Sequence, residues 1–394
     1  MAEKIIHSFE AGRRGKPDEL DSNIAHLVGS HLLRKDPLAR FDLRVAGSYD
    51  PHAEKLKIRI SGEVSAHLLE DKLYGQIKDL IVVHYNRIRL AGYGEQDFIF
   101  DIGLKPQASI LSLNGKAGDS GNPIAVAYRN TPNYLPWERF LAVDIRDLVD
   151  RIYASNGFLG EELRESAGIQ QLSGLCADGK IGVDFLYEGI KLPEVSNITL
   201  ALEHTECTPF DKFLHQAELV LRAHLAQLEQ KYGQHLGTPR IIINGLGTWT
   251  LGGWKADEGN REAKPQRDAF GTYGVMEDSL AGEDPSKPSG TGTFLARYIA
   301  VQVVGNNLAD FARVVLRYTI GQEDVGLNIT TNGTGKLPQE ELETWVRKNI
   351  PLGLKDTIER FNLRDPALHR QIVEDSDFFH SPDLPWNKVE VGYK

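Results

Sequence analysis

The feature that most constrains the fold is a change of hydrophobic period within the first hundred residues. Leu20, Ile24, Leu27, Val28 and Leu32 recur at helical spacing behind Pro17, a residue suited to a first helical turn, so Lys16-Pro-Asp-Glu19 opens a helix. The runs Lys55-Leu-Lys-Ile-Arg-Ile60 and Phe98-Ile-Phe-Asp-Ile102 alternate with period two and predict strands about a helical stretch near residues 66–86. Helix and strand periods in one segment predict an α+β fold.

Residues 103–123 are rich in Gly, Ser, Asn and Lys, which predicts a loop and a first boundary; its length hints at function. Beyond it, helical patterns run from Trp137 to Tyr153 and from Phe210 to Tyr232, the second closed by Gly233 as a C-cap. Strands are expected at Ile181–Tyr187 and Asn197–Glu203 between them. A third region starts with the strand Arg240–Asn244, crosses polar, glycine-rich sequence to Gly292, and continues with a helix at Phe294–Val304, a strand at Arg313–Thr319 and a helix at Pro338–Asn349. The expected units are 1–103, 104–239 and 240–394.

With 394 residues, 41% apolar and 25% charged, the chain is long enough for more than one core. Its 45 basic and 55 acidic side chains give a net charge of −10, against a nucleic-acid-coating protein. Neither an apolar leader nor a span of ~20 apolar residues is evident, so a cytoplasmic protein without a membrane partner is expected. Cys176 and Cys207 fit no zinc spacing and are expected to be inert thiols.

Three stretches could carry chemistry. Gly245 to Gly253 lacks both the Walker and the dinucleotide fingerprints, and simple turns explain it equally well. The interleaved charges that follow, Lys255, Asp257, Glu258, Arg261, Lys264, Arg267 and Asp268, then Glu283, Asp284 and Lys287, suit a metal-bound polyphosphate. Asp178-Gly179-Lys180 at a strand start could bring a lysine to a phosphate, although a hairpin turn is the stronger reading of those three residues alone. Gly118-Asp119-Ser120-Gly121 is a tight turn displaying one carboxylate. Glu10, Asp18 and Asp257 are each plausible magnesium ligands, while most such surface acids are merely solvated. No H-x-x-x-H, G-x-S-x-G or catalytic cysteine signature is present, and His204 reads as a structural strand-end histidine.

In order and spacing these pieces resemble the S-adenosylmethionine synthetase (methionine adenosyltransferase) family, from about Phe9 to Trp386. Glu10 and Gly15-Lys16-Pro17-Asp18 resemble its N-terminal motif, with glutamate and aspartate eight residues apart. Gly62-Glu63-Val-Ser resembles G-E-I-T, Ala117-Gly-Asp-Ser-Gly121 resembles A-G-D-Q-G, and Asp178-Gly-Lys180 resembles D-[AG]-K. Glu203-His-Thr-Glu206 resembles Q-H-S-E, Ile243 to Gly253 resembles I-N-P-T-G-R-F-x-I-G-G without a gap, and Gly282-Glu-Asp-Pro-Ser-Lys287 resembles G-K-D-P-S-K.

The resemblance implies three α/β two-layer units about a pseudo-three-fold axis and a homodimer, with a tetramer left open and the active site between subunits. Methionine sulfur would displace the triphosphate of ATP, which is then cleaved to phosphate and pyrophosphate, a reaction of one-carbon metabolism. Lys16, Lys180 and Lys264 would be catalytic. Glu10, Asp178, Gly179, Lys180, Trp249, Asp257, Lys264 and Lys287 would bind ATP; Glu63, Gln107, Asp119, Asp257 and Lys287 would bind methionine; Asp18 would hold Mg²⁺. The departures fall among these positions. Lys16 stands for a histidine, Thr248 and Ala263 for arginines, Glu283 for a lysine, Ser289 for an aspartate, and Arg44 for a potassium-binding glutamate, so potassium need not be required. Two alternatives remain open: a paralogue that uses ATP or tripolyphosphate with another nucleophile, and a non-catalytic nucleotide-binding regulatory subunit.

Overall fold

The computed structural model describes residues 4–107, 116–129, 131–188, 193–260, 270, 273 and 280–393. In chain order the first elements are β1 (Lys4–Gly12), α1 (Pro17–Lys35), β2 (Phe41–Asp50), β3 (Lys55–Val64), α2 (Asp71–Arg89), β4 (Phe98–Pro106) and β5 (Ile124–Tyr128). Next come α3 (Trp137–Ala154), α4 (Glu161–Ala167), β6 (Leu175–Glu188), β7 (Glu194–His204), α5 (Phe210–Tyr232) and β8 (Arg240–Ile243). The last are α6 (Pro288–Gly305), β9 (Phe311–Arg317), β10 (Gly326–Thr330), α7 (Gln339–Asn349), α8 (Leu354–Phe361) and α9 (Pro366–Asp375). The mixed α+β expectation holds.

The strands form three sheets, ordered β2-β3-β4, β1-β6-β7-β8 and β10-β9-β5, and helices pack on each. Alternation sets the buried face of the first sheet: Phe41, Leu43 and Val45 point into the core while Asp42 and Arg44 do not. On α2, Leu73, Ile77, Ile81 and Tyr85 form a buried stripe at intervals of four, each side chain contributing about 1.5–3 kcal/mol on burial. Helix α6 is buried along most of its length and packs on β5 and β9. No helix among the described residues is long and apolar enough to cross a membrane.

Sheet membership is interleaved along the chain and does not follow the divisions 1–103, 104–239 and 240–394. β1 pairs antiparallel with β6, β8 pairs parallel with β7, and β5 pairs antiparallel with β9. Turn-rich stretches mark where the chain leaves an element, whereas partners are chosen in space by long crossovers.

Local boundaries also shift. Asp178-Gly179-Lys180 lies inside β6, at an irregularity between Leu175 and Gly179, and not at a hairpin or strand start. Gly179 has φ +155°, and a Cβ there would lie 2.4 Å from the carbonyl oxygen of Ala201, so only glycine fits. Helix α2 begins at Asp71 and runs past the expected end to Arg89, and α6 begins at Pro288, six residues before Phe294. The expected loop at 103–123 opens with the end of β4, and residues 108–115 lie outside the described residues.

Candidate active site

A first charged cluster is built on the start of α1. Pro17 occupies the first turn and Lys16 caps it in an extended conformation, which sets Lys16 Nζ 3.0 Å from Asp18 Oδ2 with both side chains largely buried. Asp18 Oδ1 accepts the amide of Asn260 at 3.2 Å. One turn along, Asp21 accepts from the Gly47 amide at 2.8 Å and from Trp254 Nε1 at 3.1 Å. Burial, reinforced by the neighbouring Asp18 charge, pushes the Asp21 carboxyl up to about 8 against those two hydrogen bonds and Lys16. Gly47 is required here because a Cβ would lie 2.0 Å from the Trp254 indole.

β6 supplies the opposite wall. Asp178 Oδ2 accepts the Gly253 amide at 2.7 Å and Oδ1 accepts the Gly179 amide at 2.6 Å. Its own amide donates to Glu203 Oε2 at 2.8 Å, and Arg89 holds Glu203 with two hydrogen bonds of 2.8 and 2.9 Å. Burial raises the Asp178 pKa, the Gly253 bond opposes the shift, Glu203 adds to it, and Arg89 and Lys16 oppose it. Arg13 ties this wall to α3, its Nε 2.8 Å from Asp150 Oδ1 and its Nη1 donating to the carbonyls of Cys176 and Asp178. Lys16, Asp18, Asp178, Gly179 and the 252–260 segment therefore meet in one place. Asp257 sits on that segment, exposed, accepting the Glu258 amide at 2.9 Å. Lys180, half-exposed, pairs with Glu10 at 2.9 Å across β1 and β6.

Trp249 is fixed by backbone contacts on both sides of His204: its amide donates to His204 Nε2 at 3.2 Å, and its carbonyl accepts the His204 amide at 2.9 Å. His204 is fully buried and takes the structural role expected of it. Thr248 is exposed. Cys176 and Cys207 are both free thiols, and burial pushes Cys176 up to about 11.

A second cluster gathers where α6 begins. Lys287 caps that helix, its Nζ 3.1 Å from Asp119 Oδ2 and 3.6 Å from Asp42 Oδ2. Burial disfavours its charge, but Asp119, Asp42 and Glu283 outweigh that and raise its pKa. Asp42 Oδ1 accepts from Arg44 Nη1 at 2.8 Å. The buried Asp284 shapes the turn by accepting from the amides of Phe41 and Ser286 and from the Ser286 hydroxyl. Ser289 Oγ donates to Glu283 Oε2, so these two departures contact each other. Asp119, Ser120, Ser289 and Thr293 line a cavity of about 80 Å³. Nearby on the same sheet, Glu63 pairs with Lys105 at 3.2 Å and the Gln107 amide continues the ladder to the Val64 carbonyl.

β2 relates the two clusters. Asp42 belongs to the second and Gly47 to the first, five residues along one strand, which is ~17 Å at the strand rise. Among the described residues one chain thus presents two separate cation and carboxylate groups. Lys264 and Ala263 lie outside the described residues. Among the described residues no group of three or more His, Cys, Asp or Glu is arranged to hold a metal ion.

Sequence reasoning missed Asp21, Asp42, Arg13 and Arg89. Asp21 carried a signal, because it lies on one helical stripe with Ile24 and Val28 and an acid on a core face needs partners. Arg89 and Arg13 carried none, since their partners are 114 and 137 residues away.

Comparison with known proteins gives a consistent result. Residues 251–388 match the family model described as S-adenosylmethionine synthetase, C-terminal domain. The chain is 30% identical to an S-adenosylmethionine synthase from Acholeplasma laidlawii, covering 98% of this chain and 97% of that one. It is 26% identical to those from Mycoplasmopsis pulmonis and Aquifex aeolicus, covering 98% of this chain in each case and 97% and 96% of theirs.

Proposed function

Because this chain belongs to the S-adenosylmethionine synthetase family, we propose that it forms S-adenosylmethionine from ATP and methionine and cleaves the displaced tripolyphosphate to phosphate and pyrophosphate. The observation that carries this reading is the pairing of lysines with carboxylates: Lys16 with Asp18 in the first cluster, Lys287 with Asp119 in the second, and Lys180 with Glu10 across β1 and β6. A thioether sulfur is neutral, so attack at C5′ needs no general base. What the reaction needs is alignment of sulfur with carbon and stabilisation of charge on the departing triphosphate.

Lys16 in the first cluster and Lys180 beside Glu10 supply that charge, and Lys264, outside the described residues, is assigned as a further cation. Asp178, anchored by Gly253 and backed by Arg89 and Glu203, holds the nucleotide-facing wall together with Gly179 and Trp249. Asp119, Glu63, Gln107, Asp257 and Lys287 receive the methionine. With the two clusters ~17 Å apart along β2, a homodimer that sets the second cluster of one subunit against the first of its partner would complete each site. The three sheets would then be the layers of three units related by a pseudo-three-fold axis, each drawing strands from distant parts of the chain.

The donor set fits magnesium carried in on phosphates, since Mg²⁺ takes one or two carboxylates plus substrate oxygens and Asp18 offers one buried carboxylate beside Lys16. Asp18 would hold the ion, whose chemistry is to neutralise phosphate oxygens. Arg44, fixed on Asp42, provides a permanent positive charge and removes the need for potassium.

Phosphorus NMR of a reaction with ATP, magnesium and methionine tests the proposal. Phosphate and pyrophosphate should accumulate in equal amounts and only when methionine is present. Accumulation of ADP, or ATP breakdown indifferent to methionine, would overturn it.

A further inference from the structure

Gly15 and Ala177 immediately precede Lys16 and Asp178, and behind them lies a cleft of about 200 Å³ bordered also by α2, α3 and α9. At the irregularity in β6, Ala177 lines this cleft while Asp178 faces the Gly253 amide. The volume is below the roughly 300–1,000 Å³ of drug-sized pockets, which restricts an occupant to one small molecule.

The lining carries both signs of charge with vacant hydrogen-bonding capacity. Arg14 reaches in with a guanidinium that makes no hydrogen bond among the described residues. Its Nε is buried without a partner, and its nearest carboxylates, Asp147 at 3.6 Å and Asp150 at 3.9 Å, lie beyond hydrogen-bond reach. Asp150 is already committed to Arg13 Nε and the Arg14 amide. Arg87, exposed on α2, has one long contact to His84 Nδ1 at 3.4 Å. Glu374, exposed on α9, takes part in no hydrogen bond or ion pair among the described residues. Apolar surface from Leu90 and the Tyr153 ring completes the wall.

We propose that this cleft binds a zwitterionic apolar α-amino acid. A planar carboxylate matches the guanidinium forks of Arg14 and Arg87, an α-ammonium matches Glu374, and an apolar side chain covers Leu90 and Tyr153. A bare anion would leave Glu374 facing it with like charge, and an uncharged apolar molecule would leave the Arg14 and Arg87 guanidinium groups without a carboxylate acceptor. Occupancy bears on the catalytic wall through Asp150, which holds Arg13 against the carbonyls of Cys176 and Asp178. The site stands whatever reaction the chain performs.

Calorimetric titration of the full chain with L-leucine, without nucleotide, tests the site, since leucine has no thioether to react. Saturable binding at one per chain is expected, weakened at least about tenfold by Arg87→Gln and by Glu374→Gln and unchanged by Lys180→Ala. Both glutamine substitutions are at exposed positions and should leave the fold intact, which circular dichroism checks. The proposal is overturned by no binding at tens of millimolar leucine, by affinity indifferent to both glutamine variants, by loss of binding in Lys180→Ala, or by acetate binding as tightly as leucine.

Discussion

Arg89 and Glu203, 114 residues apart in the chain, are joined by two hydrogen bonds of 2.8 and 2.9 Å. The pair brings the end of α2 against β7 and leaves Glu203 Oε2 in place to accept the Asp178 amide. Arg89→Ala would leave a buried carboxylate without its partner, which costs about 3–5 kcal/mol. Urea denaturation should show that loss in full. A variant within 0.5 kcal/mol of wild type would mean the pair does not hold this wall.

Asp21 predicts a pH dependence of stability. Burial pushes its carboxyl up to about 8 in the fold from the ordinary 3.8, so between those values the folded chain holds a proton that the unfolded chain has released. Stability must therefore fall as pH rises from about 4 to about 8, by up to about 1.4 kcal/mol per unit from this one group. Glu138, raised to about 7 by burial, adds a slope of the same sign, so the informative quantity is a difference between proteins. Asp21→Asn should flatten the urea midpoint profile between pH 5 and 8 relative to wild type; parallel profiles would remove Asp21 as the source.

Lys180 is half-exposed and paired with Glu10, so its removal should leave folding nearly untouched. Turnover should nevertheless fall by about 10²–10³-fold in Lys180→Ala, the scale of one lost charge-stabilising donor. Near-normal kcat with a normal melting curve would take Lys180 out of the reaction.

Arg44 gives a test on cation dependence. Wild type should work equally well with and without potassium, because the guanidinium on Asp42 is always charged. Arg44→Glu should acquire a potassium requirement, visible as kcat/KM rising with added KCl at constant ionic strength. The same flat response in both proteins would discard the replacement of ion by side chain.

Much of the fold was legible where pattern and local chemistry agree. Helix α5 matches its expected bounds, and the strand expected from Arg240 appears as β8. Helix α6 shows where the reading stopped short: Pro288 marks its start by the same rule that Pro17 obeys in α1, but the apolar run only becomes evident at Phe294. Sheet membership was not legible, because nothing local to β1 says that Gly12 lies opposite Lys180. Several candidate residues stand out from the sequence alone, but their roles come from family motifs and not from pattern, since an isolated Asp178-Gly179-Lys180 reads most simply as a turn. Buried supports such as Asp21 and Arg89 escaped for a different reason: a charged residue in a helix looks like a solvated one until its partner is known.

The central claim is that these lysines and acids serve the transfer of an adenosyl group to sulfur. Mass spectrometry of purified protein incubated with ATP, magnesium and methionine labelled at its methyl carbon measures that directly. The expected product is a sulfonium in which the labelled methionine carries the adenosyl group, absent when magnesium or methionine is left out. ATP consumed with the label still wholly in free methionine, or no reaction by a folded protein that binds ATP, would contradict it.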